Sequence, residues 1–230
     1  MSGDLAALGV QLVRADNPGP LTLTGTNTWI TGGWVVDPGP LLQAHQAAVA
    51  AAAGRVEGIA LTHDHGDHAE GVNALRALVG DVPVVHAPRD GEVFGPLRAL
   101  ALPGHSDDHV AYVTDRVAFT GDAVLGEGSV FVAGQLAGYL KGLRRLRALD
   151  LAVLCPGHGP PIWEPAARLD GYVAHRLDRE RRLIAALGSG LRSEPELLDA
   201  VWDDAPAELR PFAAVTLRAH MEKLRDEGRA

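Results

Sequence analysis

A single cysteine, Cys155, stands in 230 residues, so no internal disulfide can form and nothing argues for secretion. The opening Met1-Ser2-Gly3-Asp4 lacks a basic start followed by an apolar stretch, the pattern of a signal peptide. The longest alanine-valine run, Ala47 to Ala53, is far too short to cross a bilayer. The expectation is a cytoplasmic protein with no membrane partner. Positive charge is also scarce. The formal net charge is -8, with 17 acidic against 10 basic residues through Glu164 and 12 against 11 from Pro165 onward. Neither segment carries the cationic excess of a nucleic-acid footprint, which weakens the case for a polyanionic substrate without removing it. No short-period repeat is present.

Hydrophobic residues at 47% and charged residues at 22% describe an ordinary globular chain, long enough for one full core and a small second domain. Its most informative stretch is Thr62-His63-Asp64-His65-Gly66-Asp67-His68, directly after the apolar Gly58-Ile59-Ala60-Leu61. Imidazole nitrogen and carboxylate oxygen are the ligands that zinc-like divalent ions prefer. His63 and His65 alternate and can point at one centre from an extended turn, while Asp67 and His68 face a second beside it. A helix-capping loop would need one carboxylate and no histidine.

Through Glu164 the chain reads as strands and helices in alternation. Thr28-Trp29-Ile30-Thr31 and Trp34-Val35-Val36-Asp37 flank Gly32-Gly33 as a hairpin. Leu41 to Ala53 reads as a helix stopped at Gly54, Ile59 to Thr62 as a buried strand, Ala69 to Val79 as a helix, and Val82 to Val85 as a strand. Strands follow at Leu97 to Leu102, Val110 to Thr114, Val117 to Thr120 and Leu151 to Leu154, with a helix over Tyr139 to Leu149. The ligand-type residues fall just past strand ends, where open sheets carry functional loops. From Pro165 the pattern turns helical, over Ala166 to Leu187, Ser193 to Trp202 and Pro206 to Asp226, with Ser193-Glu194-Pro195-Glu196 as a capping box. A boundary near Glu164 divides the chain into residues 1–164 and 165–230.

The strand-end residues His63, His65, Asp67, His68, His105, Asp122 and His158 form the ordered pattern HxHxDH, PGH, TGD and PGHG. This pattern resembles the metallo-β-lactamase superfamily over about residues 20 to 164. The resemblance implies an α/β fold, an αββα sandwich with metals at one edge of its two sheets. It also implies that His63, His65 and His105 hold one metal, that Asp67, His68 and His158 hold another, and that Asp122 bridges them. Asp37, in Val35-Val36-Asp37-Pro38-Gly39, matches the family's aspartate behind the ligands. Asp122 stands where some zinc β-lactamases have cysteine. Flavin-linked di-iron relatives carry glutamate where His65 stands, so two Zn2+ ions per chain are expected. Asn17-Pro18-Gly19, Thr22 to Trp29, Pro103 to His109, Gly121 to Gly126 and a winged-helix-like tail at Leu217 to Gly228 are similar to the β-lactamase-like protein 2 branch. That branch includes thioester hydrolases acting on carrier proteins and single-strand-specific endoribonucleases.

The expected activity is di-zinc hydrolysis of a small-molecule or carrier-bound thioester or activated ester by a metal-bridging hydroxide, with Asp67 orienting the nucleophile and handling its proton. Single-stranded RNA is the alternative substrate, and a DNA-binding regulator is a minor alternative that leaves the ligand set unexplained. His109 reads as a partner of the ligands or a turn residue, Asp64, Asp107 and Asp108 as loop carboxylates, and His45 and His220 as surface or packing residues. His175 and Arg176 are candidates to face the site. Thr26, Asn27 and Thr28 either line the cleft or form the turn into the first hairpin, and Cys155 reads as a buried strand end.

Overall fold

A computed structural model describes residues 3–229. Two five-stranded sheets lie between helices. The first runs β1 (Val10–Arg14), β2 (Asn27–Thr31), β3 (Trp34–Val36), β4 (Gly58–Ala60) and β5 (Val84–Val85) in spatial order. The second holds β6 (Val93–Phe94), β7 (Leu97–Ala101), β8 (Val110–Val113), β9 (Val117–Gly121) and β10 (Val153–Pro156), again in order. Hairpins give antiparallel pairs, and the helical crossovers into β4, β5 and β10 give parallel ones.

Alternation along the strands builds the layers, because successive side chains leave opposite faces. Trp29, Val36, Tyr112, Phe119 and Val153 meet between the sheets. Their neighbours Ile30, Val35 and Ile59 turn outward onto Val49 of α1 (Gln43–Ala53) and Leu75 of α3 (Val72–Val79). Leu100, Ala118 and Leu154 turn the other way, onto Leu140, Leu143 and Leu146 of α4 (Leu136–Arg147) and Leu169 and Tyr172 of α5 (Pro165–Gly188). The layers are helix, sheet, sheet, helix, as expected. Each fully buried large side chain contributes about 1.5–3 kcal/mol by leaving water.

The far half of α5 supplies Leu183 and Ala186 to a separate core, with Leu197 and Val201 of α6 (Glu194–Val201) and Leu217 and Leu224 of α7 (Arg210–Asp226). The capping box at Ser193 and Glu196 opens α6. Among the described residues this tail is entirely helical. No helix of the described residues is long and apolar enough to cross a membrane.

Two strands and one helix depart from the sequence reading. The edge strands β1 and β6 carry mixed, partly exposed residues without a clear apolar run. The helix expected over Ala69 to Val79 is two pieces, α2 (Gly66–Ala69) and α3, joined at Gly71. There the chain packs so closely that a Cβ on Gly71 would lie 2.3 Å from Gln46 Nε2 and 2.8 Å from the Gly39 carbonyl oxygen.

Candidate metal centre

The strand ends converge. β4 delivers His63, β7 leads to His105, and β9 and β10 end at Asp122 and His158. The sheets are clamped together at this edge: Asn27 N–H donates to the Gly157 carbonyl, and its side chain donates to the carbonyls of Pro156 and Gly159. All seven residues singled out in the sequence come together here. His63 Nε2 and His105 Nε2 each lie 3.0 Å from His65 Nδ1. His158 Nε2 is 3.3 Å from both Asp67 Oδ2 and Asp122 Oδ2, and His68 Nε2 is 3.4 Å from Asp122 Oδ1. The side chains therefore fall into two adjoining groups, with Asp122 reaching both, since its Oδ2 is also 3.6 Å from His105 Nε2.

Hydrogen bonds behind the cluster set which nitrogen faces it. Asp37 accepts from the Thr62 amide at 2.7 Å and from the Thr62 hydroxyl at 2.7 Å. With its proton committed to Asp37, the Thr62 oxygen can only accept from His63 Nδ1, 3.0 Å away. Asp37 also accepts from His68 Nδ1 at 2.9 Å. One carboxylate thus fixes two imidazoles, each with Nε2 turned to the centre, an arrangement typical of metal-ligating histidines. Asp37 holds this post at φ 52°, a left-handed backbone that aspartate tolerates better than most residues.

The donor set fits metal ions. His63 Nε2 presents a lone pair, and a single proton on His65 Nδ1 could satisfy either neighbouring nitrogen but not both. His68 Nε2 and Asp122 Oδ1 are buried without a hydrogen-bond partner. Such groups are costly to bury unless something satisfies them. A cation in each group would do so.

Electrostatics separate the groups. Burial holds His63 well below the ordinary histidine range and His105 down to about 4. In the other group burial opposes charge, but Asp122 and Asp67 carry His158 up to about 9, and Asp122 and Asp37 raise His68. Asp67 falls to about 2 against the cost of burial, through His158 and His68. Small backbone positions make room: a Cβ on Gly157 would lie 2.4 Å from Asp122 Oδ1 and 2.6 Å from His68 Cε1.

The chain is similar to proteins of known family. A model of the metallo-beta-lactamase superfamily matches residues 89–158, and a model of the beta-lactamase associated winged helix domain matches residues 193–230. A beta-lactamase-like protein 2 homolog of Caenorhabditis elegans is 30% identical, over 95% of this chain and 85% of that protein. The chain belongs to the metallo-beta-lactamase superfamily. It is a hydrolase of that family. An atrochrysone carboxyl ACP thioesterase of Aspergillus fumigatus is 29% identical, over 97% of this chain and 84% of that one. A metallo-beta-lactamase family protein of Thermus thermophilus superposes with a TM-score of 0.71 at 26% identity, over 96% of this chain and 94% of its own.

The remaining candidates sort cleanly in this family's framework. His109 is buried and accepts the Asp122 amide at 3.2 Å, so it steadies the loop bearing that carboxylate. Asp107 and Asp108 bond to Gln135 and to Ser106 and His86, and Asp64 is exposed. His45 packs beneath the site against the Thr28 hydroxyl, and His220 is buried in the tail. His175 and Arg176 line the same cavity as the cluster. Cys155 is buried, and burial pushes its thiol up, which removes it as a nucleophile.

Sequence reasoning left Thr26 open between lining the cleft and forming a turn, and it missed Phe131. Thr26 donates to Asp67 Oδ2 at 2.9 Å and is itself held by Asn17, whose side chain bonds both its hydroxyl and its amide. Phe131 lies with its ring centroid 4.6 Å from that of His105. The stretch around Asn17 and Thr26 was legible as a family motif, whereas nothing in the sequence marked Phe131.

Proposed function

We propose that the protein is a di-zinc hydrolase of thioesters or activated esters, with residues 1–164 as the catalytic unit. His63, His65 and His105 would hold one ion, Asp67, His68 and His158 the other, and Asp122 both. Bound zinc supplies an activated water at neutral pH and a Lewis acid for the oxygen that gains charge. The chain's own groups do the positioning. Asp37 and Thr62 hold the imidazoles. Thr26 and Asn17 hold Asp67, which stays ionised and is 28% exposed at its side chain, ready to accept a hydrogen bond from the attacking water and then its proton. No covalent enzyme intermediate is needed.

The observation that carries this reading is the setting of the cluster. It opens into a cavity of about 790 Å³ whose walls are mainly apolar, not basic. Similarity to a protein named as a carrier-protein thioesterase supports it. The tail supports it too. Leu217, Ala219 and Leu224 of α7 are buried in packing, and Arg210, Arg218 and Lys223 are paired with Asp199, Glu194 and Glu180, so little of that helix is left to read DNA. The lone buried cysteine suits the cytoplasm.

The test is elemental analysis followed by turnover of a thioester panel and a labelled single-stranded RNA. Two zinc ions per chain and thioester turnover lowered about 10²–10³-fold by Asp122→Ala are expected. Cleavage of RNA without turnover of any thioester would replace this reading with the ribonuclease one, and a different resident metal would overturn the zinc assignment.

A further inference from the structure

The cavity above the cluster reaches into the helical tail. Its inner end is made by His65, Asp67, His105, Asp122 and His158, and its outer end by Trp202, Leu209 and Phe212. Phe131 stands between the two ends. Its ring is stacked 5.2 Å, centroid to centroid, from that of Phe212 on α7, with the planes 31° apart, while its other neighbour is His105. The loop that carries Phe131 is fastened from the tail side. Arg168 donates to the carbonyls of Leu125 and Gly128, Arg176 to Val130, and Thr216 Oγ1 accepts the Val132 amide at 3.0 Å. The tail therefore both fixes Phe131 and adds Phe212 to it.

The polar inventory of the chamber is as telling as its rings. Two arginines of the described residues line it, Arg176 and Arg179, and both are buried. Arg179 chelates Asp204 with one nitrogen and donates to Val201 with another. Arg176 is 2% exposed, donates through one nitrogen to Ser129 and Val130, lies over the Tyr139 ring, and keeps a buried Nε without a partner. His175 accepts from Arg179 Nε at 3.2 Å, and burial and the two arginines push it down to about 4, so it is neutral. An anionic tail entering here would meet no exposed guanidinium, since Arg176 and Arg179 are 2% and 5% exposed, whereas an apolar one would find rings and aliphatic walls. Ligand pockets take their orientation from a few polar groups and their fill from such walls.

We propose that this chamber is an acyl-recognition subsite for an uncharged, bulky apolar acyl group, and that Phe212 sets the size it accepts. The inference rests on the thioesterase reading of the metal cluster. Scission at the cluster fixes the carbonyl end of the substrate, and the acyl chain then extends along Phe131 toward Phe212. Each methylene it buries should be worth about fourfold in kcat/KM.

The experiment uses the full, zinc-loaded chain and N-acetylcysteamine thioesters of unbranched acids from two to twelve carbons, with a glutaryl thioester as the anionic arm. For the unsubstituted protein, kcat/KM should rise at least tenfold from two to eight carbons, and glutaryl should rank below the neutral chain of equal length. Phe212→Ala should move the preferred length upward and Phe212→Trp downward. Opposite shifts cannot come from a general loss of stability. A flat length profile, a preference for glutaryl, or unchanged preference in both variants would overturn the subsite while leaving the thioesterase standing. Turnover of no thioester at any length would instead remove the thioesterase reading, and this inference with it.

Discussion

Buried histidines in the two halves of the molecule are held to opposite ends. In the sandwich, His63 and His68 are fully buried, yet each has one nitrogen anchored, through Thr62 or directly on Asp37, and the other turned to a shared centre. In the tail, His220 is equally buried, neither ring nitrogen has a partner, and its ring meets Trp202 edge-on at 5.8 Å. Burial alone therefore does not mark a ligand. What sets His63 and His68 apart is an anchor on the far nitrogen together with convergence of the near one. The comparison can be broken at either end.

The largest effect is expected at Asp122, the one side chain that reaches both groups. Asp122→Ala should lower turnover by about 10²–10³-fold, the scale for losing a preorganised electrostatic group. Bound zinc should fall as well. The metal-free variant should melt below the metal-free parent, because Asp122 is the buried carboxylate that raises His158 and His68. Full turnover with two ions bound would show that the two groups act independently.

Next comes the anchor itself. Asp37→Ala frees His68 and, through Thr62, His63, so zinc affinity should drop about 10–100-fold, as when partners behind metal ligands are removed elsewhere. Competition with a calibrated chelator measures this. Thr62→Val should reproduce the His63 part alone and give a smaller drop. Equal losses in the two variants would mean that Asp37 acts only through Thr62.

These two residues also mark how far the sequence could be read. HxHxDH was legible because its ligand-type residues are crowded into one turn, and Asp37 because it ends a recognisable strand. Thr62 was not, since its role depends on β3 and β4 lying side by side in parallel register, with Val36 opposite Ala60. Most of the sandwich followed from strand alternation and glycine stops. The edge strands did not, because half-exposed strands carry no apolar signature, nor did the break at Gly71, which a tertiary contact with Gln46 and Gly39 imposes. Phe131 and Phe212 are 81 positions apart in sequence, and only the docking of α7 onto the loop after Asp122 brings them together.

A smaller loss is expected at Thr26. Thr26→Val keeps the shape but removes the hydrogen bond to Asp67 Oδ2. A hydrogen bond to a charged group contributes about 1.5–3 kcal/mol, so kcat should fall on the order of tenfold with zinc content retained. Metal loss instead of a kcat effect would move Asp67 from proton handling to a purely ligating role.

The smallest effect lies at the other end of the comparison. Burial, then the cations of Arg176 and Lys223, push His220 down to about 3 from an ordinary 6.5. The folded chain therefore refuses a proton that the unfolded chain accepts between those values. Stability from the neutral ring is complete above pH 6.5 and is lost as pH falls toward 3. One such group accounts for about 2 kcal/mol between pH 7 and pH 5. His220→Leu removes the group that titrates and two ring nitrogens that lack partners, while keeping an apolar side chain beside Trp202. In denaturant melts of the chelated protein, the variant should lose about that much less stability on acidification than the parent. A parallel fall in both proteins would mean that the fold accommodates a charged His220, and the contrast between anchored and stranded histidines would then dissolve.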